Sequence, residues 1–295
     1  MLDERWLATL GRLRLVSRLA PEMNRAAWRP VRRSGEGIDF LSHREYMPGD
    51  DFRSIDWKAL ARLDRPYVKV YAREEQLPME LAIDTSASMG QPDGRKFAFA
   101  RGLAACLGYV ALASGERLRL VPSREPGAGG DGYALTYAGR TAQALSRMLR
   151  ALDALVPEGA MDLPEWAQRL TQARRGPALT ILISDLLTPP DQVEQALQLL
   201  ARARREAVLL HVLSAGELLP DALGELRLVD VESGDSIFVR ADPATISRYL
   251  EALERWVAEL SAMAARHRFR YVTLSSGASP YEAVTRELRQ AGVVR

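Results

Sequence analysis

Short apolar runs alternate with longer amphipathic stretches along most of this chain. Residues 79–83, 178–184 and 208–213 are apolar almost without interruption, a pattern typical of strands covered on both faces of a parallel sheet. Amphipathic stretches such as 243–266 predict helices between them. The alternation predicts an α/β fold with a doubly wound, mostly parallel sheet and helices on both faces. Further strands are predicted at 117–121, 133–137, 226–231 and 269–274, and further helices at 93–113, 141–155 and 279–291 and from about 162 and 188 onward.

The first 78 residues do not follow this alternation. Residues 4–19 place leucines among arginines at helical spacing, which predicts an amphipathic basic helix. Residues 67–71 alternate with a period of two and predict a strand. We therefore expect two domains, an N-terminal head of helical and β structure over residues 1–78 and an α/β domain over residues 79–295.

Charge and composition narrow the functional classes. Forty Lys and Arg residues against 38 Asp and Glu leave a net charge of +2, so the whole chain lacks the strong field that favours nucleic acid or anionic membranes. Eight arginines against three acidic residues give residues 1–33 a charge of +5, which leaves nucleic-acid binding by this segment as a weaker hypothesis. The single cysteine, Cys106, excludes an internal disulfide and is expected to be buried. Because Arg101 interrupts the longest apolar run, we expect a cytoplasmic protein without a membrane span.

Two acidic residues follow predicted buried strands directly. Asp84 comes after the strand at 79–83, and Asp185 ends the apolar run at 178–184. Ligands of a parallel sheet gather outside the carboxyl ends of its strands. We therefore expect the two carboxylates to lie at one edge of the sheet and to mark the functional site.

The residues after Asp84 add hydroxyl oxygens to this edge. Ser86 and Ser88 follow at alternate positions, where the chain turns toward a helix. One carboxylate and two hydroxyls directed at one centre suit a hard cation such as Mg²⁺ or Mn²⁺, which keeps several water ligands. Such an ion has surplus positive charge and can recruit an acidic side chain from a partner. The alternative is that these three residues only cap the following helix and bond to turn amides.

These residues carry a family resemblance. The segment Asp84-Thr-Ser-Ala-Ser88, the later Ile183-Ser-Asp185 and the predicted strand order resemble the von Willebrand factor A domain with its metal-ion-dependent adhesion site. The head narrows the resemblance to domain-of-unknown-function family 58. The matching head segments are Gly35-Glu-Gly-Ile-Asp-Phe40, Arg44-Glu-Tyr46, Pro48-Gly-Asp-Asp-Phe-Arg53, Ile55-Asp-Trp57 and Ala61-Arg62, and the body agrees at His211-Val-Leu213, Leu218-Leu-Pro-Asp221 and Leu228-Val-Asp-Val-Glu-Ser-Gly234.

The resemblance implies a cytoplasmic module that works with a MoxR-type AAA+ ATPase in the chaperone-like maturation of a client protein complex. It implies Asp84, Ser86, Ser88 and, through a water, Asp185 as ligands of Mg²⁺ or Mn²⁺. One position departs from the family pattern, because Met161 stands where the family usually has a threonine hydroxyl. A thioether is a poor ligand for a hard ion, so we expect weak metal affinity or a site that works by hydrogen bonding alone.

Charged residues surround Trp57 in the head. We consider a partner-binding face with Trp57 as its anchor and with Arg53 and Asp50 beside it. The favoured alternative is an internal ion-pair network that holds the head to the sheet. Loss of partner binding with intact folding after removal of Trp57 would support the face, and loss of folding would support the network.

Enzymatic readings fit the sequence less well. An aspartyl phosphatase would need a second carboxylate two residues after Asp84, where Ser86 stands. A metal-dependent hydrolase that uses Asp84 and Asp185 as ion ligands remains the alternative function. We expect a binding module rather than an enzyme.

Overall fold

The structure divides the chain into two compact units. The larger unit comprises Met1–Ser17 and Pro78–Arg295, and the smaller comprises Arg18–Leu77. A strand begins at Pro78, and the first 17 residues belong to the larger unit. Trp6 stacks on Tyr281 at 5.2 Å between ring centroids, within the larger unit. The computed structural model describes residues 3–19, 38–73, 78–124, 135–137, 141–172, 176–220, 224–229, 231 and 234–295.

The helix predicted for residues 4–19 is shorter than expected. Helix α1 covers Glu4–Leu10, and the chain then becomes extended, with a bridge between Leu15 and Val294. The backbone groups of this extended stretch find their partners in the C-terminal residues of the chain, so the tertiary pairing overrides the helical spacing. The arginine-rich helix is therefore confined to its first two turns.

The smaller unit is built on an antiparallel pair of strands. Strand β1 (Ile38–Glu45) pairs with β2 (Tyr67–Arg73), which confirms the strand predicted at 67–71. Helix α2 (Trp57–Leu63) lies between them in sequence, and Asp56 caps it by accepting hydrogen bonds from the amides of its first turn. Residues 35–37 of the family signature lie outside the described residues.

The larger unit contains a six-stranded sheet and a separate two-stranded one. The sheet order is β10-β7-β6-β3-β4-β5, and the pairings are parallel except for β5, which is antiparallel to β4. The predicted strand at 226–231 belongs instead to the small sheet, where β8 pairs with β9, a strand that the sequence did not predict. The strands are β3 (Pro78–Ile83), β4 (Arg117–Pro122), β5 (Leu135–Tyr137), β6 (Ala178–Ser184), β7 (Arg205–Leu213), β8 (Gly224–Val229), β9 (Ser236–Ala241) and β10 (Arg270–Ser275).

Helices flank the six-stranded sheet and complete the α/β fold. Every residue of β6 and β7 is buried, as expected for strands covered on both faces, and the predicted α/β fold with a mostly parallel sheet is confirmed. Trp166 is fully buried in the core between sheet and helices, and Cys106 is buried as predicted. The helices are α3 (Arg95–Ala113), α4 (Ala142–Asp153), α5 (Leu163–Gln172), α6 (Pro190–Arg202), α7 (Ala215–Leu218), α8 (Pro243–Arg266), α9 (Pro280–Glu282) and α10 (Leu288–Gln290), the last two joined by a π-helical turn.

Among the described residues, helix α3 is the one helix long and apolar enough to cross a membrane. Its length and hydropathy are those of a membrane-spanning helix, but 72% of its most apolar 18-residue stretch is buried inside the protein. Arg101 therefore does not lower the hydropathy of this stretch below that of a membrane-spanning helix. Core helices of globular units can have the same length and hydropathy.

Helix α3 meets helix α9 at Gly102, and we predict that this position accepts no large side chain. A Cβ atom at Gly102 would lie 2.7 Å from Cγ of Pro280, and a proline ring cannot rotate away. Gly102→Leu should lower the free energy of unfolding by about 1–3 kcal/mol through overpacking. Ala98→Leu, at an exposed position of the same helix, is the matched control and should change it by less than about 0.5 kcal/mol. Urea denaturation measures both, and equal stability of the two variants would contradict the close contact.

Candidate functional site at the strand ends

The ends of two neighbouring strands bring the predicted acidic residues to one edge of the sheet. Strands β3 and β6 are adjacent and parallel, with Ile83 in register with Ile183. Asp84 follows β3, and its amide donates to the carbonyl of Ile183 at 2.9 Å. Asp185 follows β6 and is 1% exposed. The adjacency expected from the sequence is present, because both strands run in the same direction and end at the same level.

Asp84 is fully buried and bonded within the chain. One carboxylate oxygen accepts from the amide of Ser86 at 2.8 Å, and the other accepts from the hydroxyl of Ser184 at 2.6 Å. Burial, and then the negative charge of Asp185, raise the pKa of Asp84 to about 6, although these hydrogen bonds oppose the rise. Burial of the carboxylate is thus the main reason that its pKa is raised, and the nearby charge of Asp185 adds to it.

The hydroxyl groups of Ser86 and Ser88 lie 2.9 Å apart. Ser86 is buried and Ser88 is half-buried. The helix-capping alternative accounts for the bond from the Ser86 amide to Asp84, but the Ser86 side chain makes no capping bond to the short turn that follows it. Near the start of α3 it is Asp93 that accepts a hydrogen bond from an amide, that of Arg95. The two hydroxyls are thus available for a role other than capping.

Asp185 is paired with a buried lysine that the sequence analysis did not identify. The ammonium of Lys96 on α3 donates to Asp185 Oδ2 at 2.9 Å and to Glu217 Oε1 at 2.9 Å. Burial alone would lower the pKa of Lys96, but the two carboxylates hold it above its ordinary value. A signal was present in the sequence, since Lys96 precedes Phe97 within an apolar helix and a charge there requires a buried partner.

Glu217 joins this ion pair from a short helix. It completes a capping box at the start of α7, in which Ser214 and Glu217 each accept a hydrogen bond from the other's amide. Burial opposes ionisation, but the Ser214 amide and the Lys96 ammonium keep the pKa of Glu217 below its ordinary value. Helix α7 is therefore tied to the strand-end site through Lys96.

The loop before α5 contacts the turn that carries the two serines. The carbonyl of Gly159 accepts from the amide of Ala87 at 2.8 Å. Met161, in the position where the resemblance predicts a threonine, is half-buried and packs against the core cluster. This loop approaches the site as the resemblance implies, but the side chain at position 161 offers it no oxygen.

The donor set can be compared with the needs of Mg²⁺ or Mn²⁺. Two adjacent ligand oxygens of an octahedral Mg²⁺ are about 3.0 Å apart, because each lies about 2.1 Å from the ion. The 2.9 Å separation of the Ser86 and Ser88 hydroxyls matches this distance between two adjacent ligands. Asp84, two residues before Ser86, adds a negative charge. The described residues contain no group of three or more His, Cys, Asp or Glu side chains that could hold a metal. The two hydroxyls would therefore supply two of the six oxygens around such an ion, and waters would have to supply most of the others.

The residues singled out in the head lie in the smaller unit. Trp57 is 62% exposed, and Arg53 is exposed with its guanidinium over the ring of Phe52. Asp50 has a different role, because its carboxylate accepts from Arg44 at 2.8 Å and from the amide of Met47 at 2.9 Å. Asp50 thus shapes a turn within the unit, and Trp57 and Arg53 remain on its surface.

The described histidines have carboxylate or phenol partners. His211 lies beside the end of β6 in the register of the sheet, with Nδ1 2.5 Å from the hydroxyl of Tyr271. Burial lowers the pKa of His211 to about 4. A buried histidine with these properties has a structural role in the sheet. His43 contacts Asp56 at 2.8 Å in the smaller unit.

Several known proteins are similar to this chain in sequence or in fold. Uncharacterized proteins of Mycobacterium tuberculosis and Mycobacterium bovis are 31% identical over 218 residues, which is 71% of this chain and 66% of each relative. The chain therefore spans slightly less than two thirds of the length of these relatives. Among solved structures, a von Willebrand factor type A protein from Catenulispora acidiphila matches with a TM-score of 0.44 and 15% identity, over 76% of this chain and 43% of that one. The conserved hypothetical protein BatB from Bacteroides thetaiotaomicron matches with a TM-score of 0.41 and 16% identity, over 73% and 98%.

The family comparison covers both units of the chain. The family described as protein of unknown function DUF58 matches residues 42–259, which include the second half of the head signature, both strand ends and Lys96. The chain belongs to the DUF58 family.

Proposed function

We propose that this chain is a non-enzymatic protein-interaction module that acts with a MoxR-type AAA+ ATPase in the chaperone-like maturation of a client protein complex in the cytoplasm. The observation that carries the proposal is the pair of hydroxyls at Ser86 and Ser88, held 2.9 Å apart beside a buried carboxylate at a strand-end edge. The ATPase partner and the cytoplasmic location rest on the family resemblance. Asp84 and Asp185 are both engaged inside the chain, which favours binding over hydrolysis.

Exposed apolar side chains near these polar groups support a protein partner. Val156, Leu187 and Leu219 are 63%, 59% and 77% exposed. Leu187 and Leu219 follow Asp185 and Glu217 by two residues, and Val156 precedes by two residues Glu158, whose amide donates to the carbonyl of Thr85 at 2.9 Å. We call Ser86, Ser88 and these three residues the strand-end surface. Apolar contacts around a few directed polar groups are the usual composition of a protein–protein interface.

An acidic side chain of the partner is the group that this surface would bind. Ser86 and Ser88 would hold a Mg²⁺ or Mn²⁺ ion with Asp84 behind them and Asp185 acting through water, and a bound ion would supply the positive charge that attracts the partner's carboxylate. Met161 provides no ligand to such an ion. The hydroxyls themselves can also donate to a carboxylate oxygen, so the surface retains some affinity for an acidic group when the ion is absent.

The smaller unit offers a second contact with the partner. Trp57 and Arg53 are exposed, and Trp and Arg are the side chains that contribute most often to interface energy. Lys58 and Arg62 also lie on the exposed side of α2. Four positions apart on a helix, they repel each other slightly, and an acidic partner surface would relieve that repulsion. We assign partner binding in this unit to Trp57 and Arg53.

Ser88→Ala should weaken binding of a purified MoxR-type ATPase from the same organism by about tenfold in Mg²⁺ buffer. The variant removes one donor of the strand-end surface, and among the described residues that hydroxyl bonds to Ser86 alone. EDTA should weaken binding of the wild type by a similar factor. Biolayer interferometry measures both, with the exposed Ser261→Ala as the control. Binding that neither Ser88→Ala nor EDTA alters would remove the strand-end surface from the contact, and no binding of the wild type would remove this ATPase as partner.

Trp57→Ala should reduce binding of the same ATPase by about tenfold or more while the melting temperature stays unchanged. The exposed indole contributes little to folding, because most of its surface is already in water. Met47→Ala, which removes an equally exposed side chain of the same unit, is the control and should leave binding intact. A fall in melting temperature of Trp57→Ala with unchanged binding by the folded fraction would favour the ion-pair network over the partner-binding face.

A further inference from the structure

Lys96 is a buried cation placed beside the proposed ion site. It is the second residue of the mostly apolar helix α3 and is 1% exposed. Its ammonium is shared between Asp185 and Glu217, each at 2.9 Å. A buried ammonium is stable only with such partners, so Lys96 and Asp185 hold each other in place.

The pairing distributes charge unevenly across the strand ends. Lys96 compensates Asp185 and Glu217, whereas Asp84 receives only neutral donors, from Ser86, Ser184 and, at 3.4 Å, Ser123. Within the part of the chain that the structure describes, no cationic side chain contacts Asp84. The carboxylate next to the two serines is therefore the one that an added cation would compensate.

We infer that Lys96 acts as a tethered cation that keeps Asp185 from direct coordination of the ion and so sets the affinity of the strand-end site for divalent metal. The ammonium neutralises Asp185, occupies its Oδ2 atom and repels a second positive charge nearby. Glu217 counteracts this effect, because it draws part of the ammonium charge toward α7. The inference rests on the strand-end site of the proposed function and adds what controls its metal affinity.

Removal of the ammonium charge should convert a weak site into a tight one. We expect Lys96→Gln and Lys96→Met to bind Mn²⁺ at least about tenfold more tightly than the wild type, because Asp185 becomes free to face the ion. Electron paramagnetic resonance of free Mn²⁺ measures the affinity directly. Mn²⁺ should also raise the melting temperature of these variants more than that of the wild type, since it binds the folded state. Equal or weaker Mn²⁺ binding by folded variants would overturn the inference.

Glu217→Gln tests the same idea with the opposite sign and without loss of a buried cation. Its side chain is 28% exposed, and its removal leaves Lys96 wholly with Asp185, so Mn²⁺ affinity should fall severalfold. Glu259→Gln is the charge-matched control, on an exposed position of α8 about 15 Å along the helix from Tyr249, whose hydroxyl donates to the carbonyl of Glu217. Unchanged or higher affinity of Glu217→Gln would overturn the inference even if the Lys96 variants fail to fold. ATPase capture by the wild type is measured separately, so failure of the proposed partnership is distinguishable from failure of this charge control.

Discussion

The burial of charged groups at the ends of two adjacent strands is the constraint on which this structure depends. Asp84 and Asp185 lose their water when helices cover the sheet, and an unpaired buried carboxylate is costly. The chain meets this cost in two ways: hydroxyl and amide donors surround Asp84, and an ammonium from α3 meets Asp185. The paths of the loop after β3, of α3 and of α7 all follow from the need to deliver those partners.

A second cluster of buried charges lies within the sheet, away from the strand ends, and it stabilises the fold alone. Glu80 on β3 pairs with Arg119 at 3.1 Å and Arg205 at 3.3 Å and accepts a hydrogen bond from Thr180. These partners come from β4, β7 and β6, so the cluster joins four strands. Its two guanidinium groups compensate the buried carboxylate. The strand-end cluster instead has an excess of carboxylates, which is why we assign ion and partner binding to that end of the sheet.

Much of the architecture was predictable because it depends on local pattern. The continuous apolar runs identified β3, β6 and β7, and the strand-end position of Asp84 and Asp185 followed from the parallel direction of those strands. The long helix Pro243–Arg266 was predicted to the residue. Predictions were wrong where distant pairing decides the conformation: residues 11–17 form no helix because the C-terminus offers them partners, and β9 was missed because its apolar residues are exposed.

The sequence by itself determined the alternation of strands and helices in the α/β region, the acidic residues at the strand ends and the family to which the chain belongs. These features depend on the periodicity or the residue order of short segments, which can be recognised without knowing what packs against them. Only the tertiary structure decided which charges meet. Lys96 and Asp185 are 89 positions apart and Lys96 and Glu217 are 121 apart, and no local pattern links such residues. Their pairing arises because the sheet and α3 fold back on each other, and a buried ammonium then takes whichever carboxylates the packing brings within reach.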